Sequence, residues 1–150
     1  MENSAWLLKD TNDDYFAVNE VEMVEYIPVI SAYLVPATPD YCHYVTAWRE
    51  YLVPVINFSL LFGNRTKQEV NQVGIFAYQK SDNEPLNYIA IQIQETPEHI
   101  MVNDSWFCDL PSRYVAEKKR LAHSCFTYQN TSVPILNLHY LCSTEFRDCV

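Results

Sequence analysis

VPVINFSLLF (residues 53–62) and VPILNLHYLC (residues 133–142) follow one pattern: Val-Pro, two aliphatics, Asn, an apolar residue, two variable positions, Leu, and an apolar residue. They stand 80 residues apart (133 − 53) in a chain of 150. Each follows a strand-like run and a turn-like one, YVTAW then REYL before the first copy, HSCFTY then QNTS before the second. Val55-Ile56 and Ile135-Leu136 read as buried strand, and Asn57 and Asn137 close the run through side-chain hydrogen bonds. S-L-L-F or H-Y-L-C then reads as a short helical turn sealing the strand's end. The proline cannot donate to a ladder, so it is expected at a strand's start or on an edge. Two similar β units packed on each other explain the repetition economically. Chance agreement in an apolar-rich chain is the alternative.

Outward from these phrases the pattern is mostly β. QVGIFAYQ (72–79) and NYIAIQIQ (87–94) alternate with period two around the turn-rich KSDNEPL, which predicts a hairpin. In its second strand Ile89, Ile91 and Ile93 face one way, and Tyr88, Ala90, Gln92 and Gln94 the other. YVTAWREYLVPVINF (44–58) reads as a long strand broken by a turn near Arg49-Glu50. YFAVNEVEMVEYI (15–27) is either two strands around a turn or a strand entering a short helix. TPEHIMV (96–102) is a helical turn or a bend into another strand, and SRYVAEKKRLA (112–122) a short helix or a loop. Pro28, Pro36 and Pro39 punctuate an irregular stretch between 28 and 41. Short strands with turns every eight to twelve residues indicate a barrel or sandwich. With two glycines only, Asn and Asp are expected at the positive-φ turn positions.

A chain of 150 residues forms one domain, or two small halves sharing a core, and buries roughly 68–70% of its unfolded surface. Hydrophobic residues make up 49% and charged residues 19%, a globular composition. The net charge of −9 disfavours nucleic acid and anionic membranes, and EKKR (117–120) reads as a solvated turn rather than a basic site. The N-terminus carries no signal-peptide core, and Tyr51–Phe62 falls far short of the roughly 20 residues of a membrane span. A soluble, cytoplasmic protein without direct membrane insertion is expected. Five irregularly spaced cysteines suit reduced thiols better than a disulfide framework.

The stretch VPATPDYCHYVTAWREYLVPVINFSLLFG (35–63), with VEMVEYI upstream and VPILNL at the end, resembles the CheW family of chemotaxis coupling proteins from Trp6 to Phe146. The resemblance implies a non-enzymatic all-β fold of two five-stranded barrels on a shared hydrophobic core, each barrel using one copy of the repeated phrase. It also implies an adaptor bridging the cytoplasmic tip of a chemoreceptor to the regulatory domain of a CheA-type histidine kinase, in chemotaxis or in pilus-type (twitching) signalling. By position, the family's Arg falls on Arg49 and its acid on Glu25, a pair expected across neighbouring strands to shape a receptor groove. Met23 falls on an apolar groove position. The competing reading of Arg49 and Glu25 is a pair of solvated surface charges. Tyr44 stands where the family has Gly, Glu50 where it has Gly, and Asn57 where it has Asp. Tyr44 therefore alters the groove or the partner it accepts, and Glu50 competes locally for Arg49.

Trp48 with Tyr51, and Trp106-Phe107, are either barrel core or exposed anchors for a partner. Cys42-His43, His123-x-Cys125 and His139-x-x-Cys142 lack the converging spacing of a zinc site. No nucleotide loop, nucleophile elbow or triad is present, so no catalytic residue, metal or cofactor is expected. A small-ligand-binding β-barrel with Tyr and His lining a cavity is the alternative of a different class.

Overall fold

The computed structural model describes residues 2–63 and 70–147. Its strands are β1 (Glu2–Lys9), β2 (Tyr15–Asn19), β3 (Met23–Ile27), β4 (Ala32–Leu34), β5 (Tyr44–Trp48), β6 (Tyr51–Ile56), β7 (Gln72–Tyr78), β8 (Asn87–Ile93), β9 (Glu98–Asn103), β10 (Ala122–Tyr128) and β11 (Thr131–Leu136). They form a five-stranded sheet, β10-β11-β2-β1-β9, and a six-stranded sheet, β3-β7-β8-β6-β5-β4, whose sixth member is the three-residue β4. The first sheet is built from the two ends of the chain and the second from its middle. In the first sheet a bridge, Phe107↔Phe126, and a 2.9 Å bond from Cys108 N–H to the Cys125 carbonyl join the chain beyond β9 to the free side of β10. That seam closes the sheet on itself.

The repeated phrase occupies the same place in both sheets. β6 pairs antiparallel with β5 and parallel with β8, at Val55↔Ala90 and Ile56↔Ile91. β11 pairs antiparallel with β10 and parallel with β2, at Ile135↔Ala17. Ala17 and Ala90, the central parallel partners, are both fully buried. Asn57 N–H donates to the Tyr41 carbonyl at 2.8 Å, and Asn137 N–H to that of Leu121 at 2.7 Å. A 3₁₀ turn, Phe58–Phe62, follows the first copy, and α1 (Leu138–Leu141) then α2 (Thr144–Arg147) follow the second. The prolines depart from expectation. Each stands mid-strand, Pro54 opposite Val45 and Pro134 opposite Cys125, because the strands begin earlier, at Tyr51 and Thr131. Both parallel ladders start at the residue after the proline, so the missing N–H falls before the second partner is engaged.

Side-chain alternation then sorts the residues into three cores. Val53, Val55, Trp48, Val73, Ile75 and Ala90 fill the second sheet, and Val133, Phe126, Ala17, Leu7, Ile100 and Val102 fill the first. The opposite strand faces meet in a third core that both sheets share. Phe16 and Val18 enter it from β2, Ile89, Ile91 and Ile93 from β8, and the pairs Ile56/Leu136, Phe58/Leu138 and Leu61/Leu141 from the two phrases. Side chains fill the interior of each sheet.

Residues 15–27 form β2, a 3₁₀ turn (Glu20–Glu22) and β3; residues 96–102 enter β9; residues 116–121 form a 3₁₀ turn in which Arg120 pairs with Glu145 and lies over the Tyr140 ring. Positive φ is found at Asp13, Asn83 and Asn130, in line with expectation, but also at Ala37, Arg49, Ala116 and Gln129. The twist of two-residue hairpins imposes it at Gln129-Asn130, where both residues are left-handed. Gly74 is required for a different reason: a Cβ there would lie 2.7 Å from the ring of Phe76, which is fully buried.

Candidate functional site

The short β3 strand carries Met23 and Glu25, and the ladder to β7 shifts register between them, so that Met23 pairs with Phe76 and Glu25 with the adjacent Ile75. Met23 and Glu25 both line an open groove of about 340 Å³ with Val24 and Tyr26, with Trp6 of β1 in the other sheet, and with Thr96 and Pro97 of the connection into β9. The groove is thus a cleft between the two sheets. Its walls are mostly apolar, with the Glu25 carboxylate as the charged group. Trp6 is propped edge-on by His99, ring centroids 5.1 Å apart, and His99 in turn lies 3.5 Å from the Glu20 carboxylate. Tyr26 is fixed by its hydroxyl, which donates to Gln72 at 2.7 Å.

Glu25 does not stand free. Arg49 Nη2 lies 3.5 Å from its Oε1, and Trp48 Nε1–H donates to the same oxygen at 3.4 Å. The guanidinium also stacks on the Trp48 ring at 4.3 Å. Three strands separate β3 from β5 in the sheet, so the pair is not one across neighbouring strands. The curl of the sheet brings β3 round to the end of β5, where Glu25 bonds Trp48 and Arg49. Trp48 is buried at 5% exposure and packs against Tyr51 and Tyr88, which favours its core reading. Arg49 reaches Glu25 from a left-handed turn position, φ 53°, and pairs with Glu25 rather than with its exposed neighbour Glu50. Such backbone strain costs about 1–3 kcal/mol and is retained where surrounding contacts hold it.

Tyr44 is not part of the groove. It begins β5, four residues and roughly 13 Å of strand from Trp48, beside Leu34 of β4. Asn57 joins the sheets: its Oδ1 accepts from Thr11 Oγ1 at 3.0 Å and from Ser59 Oγ at 2.8 Å. Trp106 and Phe107 are exposed. Sequence reasoning missed Trp6, Thr96 and Pro97, which reach the groove only through long-range strand pairing. On the outside of the second sheet, Tyr33, Val45 and Pro54 are register partners and share a face with Ala47 and Leu52, the last 74% exposed. That face carries no charge. Among the described residues no group of three or more His, Cys, Asp or Glu side chains is arranged to hold a metal ion.

The family model of the CheW-like domain matches residues 6–146. The chain belongs to the CheW-like family. The CheW fold also appears in a solved structure, the scaffolding protein TtCheW from Thermoanaerobacter tengcongensis, with a TM-score of 0.74 at 16% identity, covering 97% of this chain and 96% of that one. No curated protein matches the sequence. CheW-family proteins are non-enzymatic scaffolds that couple components of chemotaxis signalling, and this chain is a CheW-type coupling adaptor, not an enzyme. Among the described residues no helix is long and apolar enough to cross a membrane.

Proposed function

We propose that this CheW-like chain works in the cytoplasm, bridging the cytoplasmic tip of a chemoreceptor to the regulatory domain of a CheA-type histidine kinase. The observation that carries the reading is the cleft of Met23, Tyr26, Trp6 and Pro97 with the Glu25 carboxylate fixed by Arg49 and Trp48. An apolar cleft with one oriented acid suits a helical hairpin that inserts an aliphatic side chain and offers a donor beside it. Met23 supplies an adaptable apolar surface. Tyr44, outside the cleft, lies on the inner side of β5 opposite Val55, and the uncharged outer face of β4, β5 and β6 is the one we assign to the kinase domain. In a chain of net charge −9 an uncharged face with an exposed Leu52 is suited to a partner barrel. Whether the array serves chemotaxis or a pilus-type system follows from which kinase of the host binds.

Calorimetric titration tests this with the receptor tip and the kinase regulatory domain separately. Arg49→Ala should cost under about 1 kcal/mol of stability, since the ion pair is exposed. It should weaken receptor binding roughly tenfold, or about 1.4 kcal/mol, because Glu25 loses its orientation. Kinase affinity should not change. Equal affinities of wild type and variant for the receptor tip would remove Arg49 from the receptor site.

A further inference from the structure

Cys108 and Cys125 face each other across the seam that closes the first sheet. Their sulfurs are 3.3 Å apart, and Cys108 N–H donates to the Cys125 carbonyl at 2.9 Å. Cys108 is half-buried and Cys125 is buried. Ser132 Oγ of β11 stands 3.7 Å from the Cys108 sulfur. An approach of about 1.3 Å would bring the sulfurs to the roughly 2.05 Å of a disulfide, within the reach of side-chain rotation.

We propose that this pair is a hydroperoxide-reactive dithiol site, with Cys108 as the attacking thiolate and Cys125 as the resolving thiol. The Cys108 thiolate attacks an oxygen of hydrogen peroxide; the S–O bond forms, the O–O bond breaks, and the departing hydroxide takes up a proton to leave as water. The Cys125 sulfur then attacks the Cys108 sulfenic acid. The S–S bond forms, the S–O bond breaks, and the leaving hydroxide takes the Cys125 proton as a second water. Two thiols are oxidised and one peroxide is reduced to two waters.

The surroundings assign the roles. Burial works to raise the Cys108 thiol, but hydrogen bonding with Thr127, Cys125 and Ser132 outweighs it and brings it below the usual range. Burial pushes Cys125 up to about 12, so it stays protonated until the sulfenic acid forms beside it. Cys42 and Cys142 are both raised by burial, Cys142 to about 12, which leaves them slow nucleophiles. The product disulfide would tie residue 108, beyond β9, to β10 and so lock the barrel's seam.

The test uses the full reduced chain, treated with hydrogen peroxide, then intact mass, peptide mapping and thermal unfolding. The expected product has lost a pair of hydrogens and carries a Cys108–Cys125 link. It melts roughly 6–12 °C higher for a loop of this length, and the shift reverses with a reducing thiol. Cys125→Ala should stop at a sulfenic acid on Cys108 that a dimedone probe traps. Should that variant not fold, maleimide labelling of the wild type decides, and Cys108 must react faster than Cys42 and Cys142. A chain left unchanged by peroxide overturns the proposal. So does a link through Cys149 or another cysteine, or a Cys108 slower than Cys42 and Cys142.

Discussion

Phe58→Ala and Leu138→Ala should each lower stability by about 3–5 kcal/mol, and each should leave a single unfolding transition. The two residues hold the same place in the two copies of the repeated phrase, directly after Asn57 and Asn137. Both are buried in the core that the sheets share. Phe58 meets the Phe16 ring of the other sheet at 5.4 Å and the Phe62 ring at 5.5 Å. Deleting either side chain therefore opens a cavity lined by both sheets, which neither can close alone. Chemical denaturation followed by tryptophan fluorescence and by far-ultraviolet dichroism checks this. Coincident curves with a shared lower midpoint are expected. Two separated transitions in either variant would mean that the sheets are independent units.

Asp10→Asn should stabilise the protein at pH 7.5 by about 1–3 kcal/mol and have little effect at pH 3.5. Asp10 opens the turn between β1 and β2, where its Oδ1 accepts from Asn12 N–H at 2.8 Å and Asp14 N–H at 3.0 Å. Burial pushes its carboxyl up to about 6 against an ordinary 3.8, despite those two bonds, with Asp14 adding to the rise and Arg113 opposing it. The folded protein therefore holds this proton more tightly than the unfolded chain. Its contribution favours folding below pH 4 and is lost as pH rises to about 6, a loss of about 3 kcal/mol for a shift of about two units. Asn keeps the accepting oxygen and carries no charge. Stability measured across pH 3.5–7.5 for both proteins isolates the effect, because the other acids cancel in the difference. A difference independent of pH would contradict it.

The repeated phrase made the architecture legible because its chemistry is local. A hairpin turn, a strand with two different apolar faces and a closing Asn all lie within a dozen residues, twice. The β7–β8 hairpin was legible for the same reason, and Ile89, Ile91 and Ile93 enter the shared core while Ala90 faces its own sheet. Strands β1 and β4 were not singled out. β1 gains its identity from β2 and β9 on either side, and β4 is three residues held on β5 alone. The left-handed Ala37 and Ala116 carry no signature, since alanine is chosen neither for nor against such turns by side-chain bonding. At the site, the family resemblance pointed to Met23 and Glu25, and both lie on one wall of the cleft. The other wall, Trp6 with Thr96-Pro97, arrives through the pairing of the chain's distant segments, which no local pattern encodes. The partnership of Glu25 with Trp48 likewise depends on the curl of a whole sheet.

Sedimentation velocity of the chain mixed with the receptor tip and the kinase regulatory domain addresses the bridging role most directly. A cleft between the sheets and a separate outer face of the second sheet allow both partners at once, so one species containing all three components is expected, and Met23→Asp should release the receptor tip alone. Competition between the partners for the chain, or binding of neither, would contradict the adaptor assignment.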